Sequence, residues 1–277
     1  GANNLQLCTG ANVCVNKIIL TMTYAPANQA TPANLPGAIS GSAAICAGTP
    51  YNYSISAVSN ASSYTWTVPA GWTINSGQGT TSISATPGGS GNICVTASNL
   101  CGTSAPSCFP VTLNTPSVAP TSASVTPAPI CSGTPSTLSV SGGSLGTGAS
   151  WNWYAGSCGG SFIGSGTSIS VSPSSTTTYY VLAQGACNTT SCVSTTLTVS
   201  APPTPANAGI DQSICGTVGS FAGNTPVNGT GTWTLISGTG TITSPNSPTS
   251  GVTGLSLGAN VFQWTISNPP CTSTSDQ

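Results

Sequence analysis

Cysteine is the one residue type in this 277-residue chain that is both reactive and abundant: there are twelve. Thiols can close disulfides, hold zinc or act as nucleophiles, and spacing and neighbours decide among the three. Cys101-x6-Cys108 and Cys187-x4-Cys192 stand close together, but no CxxC knuckle and no His accompany them, so a zinc site lacks its usual ligands. A reactive thiolate needs an electropositive setting, and Lys17 is the only basic side chain. Disulfides remain, and they belong to an oxidising, extracellular compartment.

The other reactive groups are almost missing. Only 1% of the residues are charged, against roughly 25% in a typical soluble domain. Beside Lys17 there are two carboxylates, Asp211 and Asp276, and neither Glu nor His. General acid–base catalysis, two-carboxylate glycoside hydrolysis and Ser-His-Asp triads need groups that are absent, and carboxylate cages for calcium or magnesium are equally starved. One Lys cannot neutralise a phosphate backbone, so nucleic acid is excluded as a partner. No run of 18 apolar residues is available to span a membrane. No catalytic, cofactor or metal site is expected. Lys17 has no catalytic carboxylate for an isopeptide bond, and Asp211 reads as a turn or cap residue. Sequons stand at Asn52, Asn60, Asn188 and Asn228 in a chain where Ser and Thr make up nearly a third of the residues.

The cysteines recur in register. Ile45-Cys46-Ala47-Gly48-Thr49 returns as Ile130-Cys131-Ser132-Gly133-Thr134 and, shortened, as Ile214-Cys215-Gly216-Thr217, at a period of roughly 85 residues. Unit ends repeat as well. Cys101 and Cys108 precede Val111-Thr112-Leu113, Cys187 and Cys192 precede Leu197-Thr198-Val199, and Cys8 and Cys14 precede Ile18-Ile19-Leu20. Pro-rich connectors follow at Pro26 to Pro36, Pro116 to Pro129 and Pro202 to Pro205, stiff enough to act as spacers. The expected organisation is the tail of one repeat over residues 1–30, whole repeats over 36–115 and 120–200, and a repeat over 205–277 that stops short of its last strand. With its Gly-Ala-Asn-Asn start, the sequence reads as a processed chain or a window on a longer array.

Within each unit the period is two. Tyr64-Thr65-Trp66-Thr67-Val68, Ser168-Ile169-Ser170-Val171, Thr232-Trp233-Thr234-Leu235 and Phe262-Gln263-Trp264-Thr265-Ile266 alternate apolar with polar residues. Thr and aromatics favour strands, and Gly, Pro, Asn and Ser clusters punctuate them. The fold class is therefore all-β: tandem immunoglobulin-like antiparallel sandwiches of about 80 residues, joined by Pro-rich linkers and stapled by disulfides.

Cysteine counts are even in each unit, so pairing is expected inside units. The last unit holds only Cys215 and Cys271. Register then pairs Cys46 with Cys101 and Cys131 with Cys187, leaving Cys94 with Cys108 and Cys158 with Cys192. Four cysteines allow three connectivities, and Cys187 with Cys192 is a rival. Cys8 with Cys14 is the default in the incomplete first unit. Trp66, Trp233 and Trp264 sit mid-strand, where a sandwich core takes them. Trp72, after Pro69-Ala70-Gly71, and Tyr154, opposite in phase to Trp151 and Trp153, are the candidate surface-binding aromatics.

Ile45 to Thr49, Tyr64 to Trp72 and Asn99-Leu100-Cys101-Gly102-Thr103 resemble the PKD-like repeats of giant Bacteroidota surface proteins. Trp151 to Tyr154, Gly156 to Gly160 and Thr176 to Val181 resemble their Ig-like repeats. Ala208 to Gln212, Gly231-Thr232-Trp233 and Gly258 to Phe262 resemble a third repeat type of the same proteins. The resemblance implies type IX secretion and display on the bacterial surface, in adhesin or gliding-motility proteins, and supplies no active site. The expected role is a non-catalytic stalk or filament whose partners are copies of itself. The alternative is an adhesin module that binds glycans or a target cell surface through exposed aromatics.

Overall fold

The computed structural model describes the backbone of residues 7–9 and 13–15 and all of residues 33–277. The chain divides into two units, residues 1–115 and 116–277, and the described residues contain strands but no α-helix. In the first unit β1 (Leu7–Thr9) and β2 (Val13–Val15) form an antiparallel hairpin with Cys8 opposite Cys14. The expected bridge between those side chains, like Lys17, lies outside the described residues.

The rest of the first unit is a sandwich of β3 (Ala44–Cys46), β4 (Tyr51–Ser54), β5 (Ser63–Thr67), β6 (Thr73–Ser76), β7 (Ser82–Thr86), β8 (Gly91–Asn99), β9 (Gly102–Thr103) and β10 (Ser107–Asn114). One sheet runs β3-β10-β8-β5, with β9 on β8; the other runs β4-β7-β6. The alternation read from the sequence sets which side chains face inward. Ile93 and Val95 of β8 are fully buried against Tyr53, Ile83 and Ala85 of the facing sheet. Each Ile or Val buried this way contributes about 1.5–3 kcal/mol. The repeated Ile-Cys dipeptide has a structural job: β3 pairs in parallel with the closing strand β10, seating Ile45 in the core.

The second unit contains two sandwiches. The first comprises β11 (Ser122–Thr126), β12 (Ile130–Cys131), β13 (Ser136–Ser141), β14 (Ser150–Ala155), β15 (Ser161–Ser165), β16 (Ser168–Val171), β17 (Thr177–Gln184), β18 (Val193–Leu197) and β19 (Val199–Ser200). Sheets β11-β13-β16 and β15-β14-β17-β18 enclose Trp151, Trp153, Leu138, Val181 and Leu197, and β12 pairs in parallel with β19. The last sandwich comprises β20 (Val218–Ser220), β21 (Thr230–Ser237), β22 (Thr241–Ile242), β23 (Gly251–Thr253), β24 (Val261–Ser267) and β25 (Thr274–Asp276). Its sheets, β20-β23-β22 and β21-β24-β25, enclose a leaner core of Trp233, Trp264 and Ile266. Gly231 is required there, because a Cβ would collide with the Trp264 ring.

Two details repeat across the sandwiches. Four core tryptophans have the indole N–H satisfied by a backbone carbonyl: Trp66 donates to Thr80 at 2.8 Å, Trp153 to Gly166 at 3.0 Å, Trp233 to Pro248 at 3.3 Å and Trp264 to Asn224 at 3.2 Å. A tryptophan can occupy a dry core only if that donor finds a partner. The open sheet edges are also capped by amide side chains. Gln78 accepts from the Trp66 N–H and donates to the Trp66 carbonyl, both at 2.9 Å, so one side chain imitates a neighbouring strand on edge strand β5. Asn246 donates to the Gly231 carbonyl and the Thr232 hydroxyl on edge strand β21.

β25 pairs with β24, as β18 pairs with β17, although Thr274-Ser275-Asp276 offers no apolar alternation. It is held by hydrogen bonds instead: the Thr274 hydroxyl donates to the Thr204 carbonyl, and Asp276 accepts from the Ala208 N–H, both at 2.9 Å.

Candidate functional site

The cysteines fall into two geometries. Cys94 and Cys108 are directly opposite on β8 and β10, with Cα atoms 4.1 Å apart, and their disulfide ties the two central strands of the first sandwich. Cys158, after β14, bonds Cys192, just before β18, with Cα atoms 6.0 Å apart. Both bridges stay inside one sandwich, and the Cys158–Cys192 bond excludes the rival pairing of Cys187 with Cys192.

The long-range bridges depart from expectation. Cys131 bonds Cys271, not Cys187, and Cys271 is therefore unavailable to Cys215, which is an exposed thiol. Cys46 and Cys187 are each disulfide-bonded, and the bridge of Cys46 does not go to Cys101. Strand polarity explains the correction. The Ile-Cys strand meets the far end of the closing strand, Cys46 beside Asn114 and Cys131 beside Ser200. The late cysteines, Cys101 and Cys187, lie in the turn before that strand begins. Eight residues of extended strand separate those ends, a span of roughly 25 Å, which no disulfide bridges.

The Cys131–Cys271 bond instead joins two consecutive sandwiches, with Cα atoms 4.8 Å apart. Cys271 follows Asn268-Pro269-Pro270 in the turn between β24 and β25, and the whole turn grips the preceding sandwich. Asn268 donates its amide to the Ala201 carbonyl at 2.7 Å, and the Ser200 hydroxyl donates to the Pro269 carbonyl at 3.2 Å. The Cys271 sulfur is nearly buried, within 3.6 Å of the Ser200 and Ala201 carbonyl oxygens. The corresponding turn of the preceding sandwich holds Cys187 and Asn188. Asn188 donates to the Ser117 carbonyl at 2.9 Å and accepts from the Ser117 N–H at 2.8 Å. This sequon amide is thus committed to the fold, while Asn52 and Asn228 are exposed.

The two candidate aromatics behave differently. Trp72 is half-buried, its ring tilted against Tyr53 at 6.1 Å and its indole N–H donated to the Gly89 carbonyl at 2.7 Å, so it is part of the core's margin and no open platform. Tyr154 is half-buried and meets Phe162 edge-on at 5.8 Å, and Phe162 is 59% exposed. Phe162 is the member of this pair that sequence reasoning missed; its place opposite Tyr154 comes from a register shift between β14 and β15. A shallow cavity of about 340 Å³ in the last sandwich is lined by Thr225, Pro226, Thr230 and Asn246 among others and contains no ionisable group. Tyr53, fully buried, has its phenol pushed up to about 12 by burial and then by neighbouring Tyr51, and donates to the Ser42 carbonyl at 3.0 Å. Burial also raises Tyr179.

Residues 31–111 match the family model of the PKD-like domain, and residues 118–201 match that of the Ig-like domain, CHU_C associated. No curated protein matches the chain. Among solved structures, murine CEACAM1b is similar at 10% identity, covering 59% of this chain and 98% of that one with a TM-score of 0.41. Sidekick-1 immunoglobulin domains 1–4 are similar at 14% identity, covering 84% and 72% with a TM-score of 0.33. The fibronectin(III)-like modules of Clostridium thermocellum CbhA are similar at 14% identity, covering 59% and 94% with a TM-score of 0.36.

Proposed function

From a chain that carries a PKD-like domain followed by a CHU_C-associated Ig-like domain, we propose a non-catalytic structural role: the repeat region of an extracellular bacterial filament or adhesive appendage. The observation that carries this reading is the Cys131–Cys271 bond, which joins two sandwiches covalently end to end. A bridge inside one domain serves that domain's stability. A bridge between domains fixes their spacing and transmits load. The oxidising compartment that disulfides need, and the resemblance to Bacteroidota surface repeats, support export and surface display by the type IX route.

The surface favours self-association. With three charged residues in 277, neighbouring copies meet with little repulsion, and near-zero net charge promotes association. Contacts made by Ser, Thr, Asn and Gly faces are insensitive to screening. Light scattering of the chain should therefore show the same degree of association at low salt and at about 1 M salt, where the Debye length falls to about 3 Å. Electron microscopy of the native material should show filaments. A particle that stays monomeric at high concentration in every salt, with no filament in the native material, sinks the proposal. The exposed pair Tyr154 and Phe162 favours a second reading, direct adhesion to glycans or a cell surface, and binding to a glycan array that Phe162→Ala abolishes would select it.

A further inference from the structure

Each sandwich of the second unit presents a cysteine at two places with opposite roles. One is the Ile-Cys segment near its start, which acts as a socket. The other is the turn before its last paired strand, where a cysteine accompanies an asparagine and acts as a hook. The hook turns are Cys187-Asn188 and Asn268 to Cys271, and both asparagines hold the connector that leads into their own sandwich: Asn188 grips Ser117 and Asn268 grips Ala201. Both hook cysteines are disulfide-bonded. Of the three Ile-Cys sockets, Cys131 is bonded to the hook of the following sandwich and Cys46 is also disulfide-bonded. Cys215 holds the same place in the sequence repeat of the last sandwich, where Ile214-Cys215 lies outside any strand with Ile214 41% exposed, and it remains an exposed thiol.

We infer that Cys215 is a covalent attachment site for the hook cysteine of another β-sandwich of this repeat type. This deepens the array reading and rests on it. The exposed thiol alone would say little. Its internal counterpart Cys131, in the same dipeptide at the same period, already makes this bond within the chain, and the bond that Cys271 makes to Cys131 leaves Cys215 without the hook of its own sandwich. The partner is recognised by chemistry: a turn cysteine with an asparagine one to three residues away, whose amide reaches the backbone of the connector after the socket sandwich. Such a hook can be carried on the same polypeptide or on another copy.

The bond forms by thiol–disulfide exchange. A disulfide donor, either a protein disulfide or glutathione disulfide, first forms a mixed disulfide with the hook cysteine and releases one thiol. The Cys215 thiolate then attacks the hook sulfur, forming the new S–S bond and expelling the second donor thiol. Two protein thiols lose two electrons and two protons, and the donor disulfide becomes two thiols.

The test is made on native material alkylated with N-ethylmaleimide before extraction and digested without reduction, with the Cys215 peptide followed by mass spectrometry. The expected result is a Cys215 peptide linked to a cysteine in an asparagine-bearing turn of a sandwich, with no alkylated form. Gels run with and without reductant separate the sources: an unchanged polypeptide mass places the hook on the same chain, and a fall in mass places it on another copy. Alkylated Cys215, or Cys215 bonded to Cys271, to a second Cys215, to glutathione or to any other cysteine, overturns the inference. The array reading is tested separately, since filaments seen with alkylated Cys215 would leave that reading standing while refuting this one.

Discussion

Tension applied to the ends of this chain should pass through the Cys131–Cys271 bond and bypass almost everything between. The bridge spans 140 residues, and its two Cα atoms are only 4.8 Å apart. An extended chain reaches about 3.5 Å per residue, so the bond conceals a length of about 480 Å that no force short of breaking it can release. Replacing both cysteines by serine opens this loop and leaves Cys158–Cys192 intact. That inner bridge spans 34 residues and keeps about 110 Å hidden, so the double variant should release about 370 Å in steps as the two sandwiches unfold. Single-molecule pulling between residues 116 and 277 reads these lengths directly. The oxidised parent should show no release on this scale, the C131S/C271S variant about 370 Å, and the variant with added reductant about 480 Å. Extension of the oxidised parent by several hundred ångströms would refute the argument, because it would mean that the load path runs through the strands and not through the bond.

Two further perturbations test the first sandwich. Gln78→Ala removes two backbone-directed hydrogen bonds from the open edge of β5 and should cost about 1–3 kcal/mol in denaturant unfolding; an unchanged midpoint would show that water replaces the amide without loss. Tyr53 titrates at about 12 in the folded chain against about 10 when unfolded, so the folded state keeps a proton that the unfolded state gives up. Its contribution is complete below pH 10 and is lost as pH rises from 10 to 12. The stability of Tyr53→Phe should decline less than that of the parent across that window, and a Tyr53 phenolate absorbing fully near pH 10 in intact protein would contradict the assignment.

The strand pattern and the core were legible because alternation is a local property. Trp66, Trp233 and Trp264 are buried where period two puts them. The Cys94–Cys108 bridge was legible for the same reason, since two cysteines facing each other across neighbouring strands need only register. The junction bond was not. An even number of cysteines in each unit suggests closed units, yet a sandwich that gives one cysteine forward and one backward has the same even count. Only the direction in which the closing strand runs distinguishes the two arrangements, and direction is a property of the folded sheet. β25 carries no apolar signal, because hydrogen bonds from Thr274 and to Asp276 hold it in place. Phe162 escaped notice because its pairing with Tyr154 depends on a register shift.

The near absence of charge and the position of the staples explain each other. A charged chain can hold its domains at a distance and in register through electrostatics, and it can use surface ion pairs to discourage indiscriminate contact. This chain has no such means, and the core cluster of its last sandwich is built on three buried side chains, Trp233, Trp264 and Ile266. The junction bond supplies what both lack. It keeps the connector from Ser200 to Pro205 pinned against the turn at Asn268, so the spacing of the two sandwiches is set by covalent geometry and not by weak surface contacts. Cys215 lies inside the loop that Cys131 and Cys271 close. A bond from Cys215 to a further hook would therefore overlap that loop and not merely follow it. Such overlapping loops would carry tension from one staple to the next and leave the Ser- and Thr-rich faces folded under load.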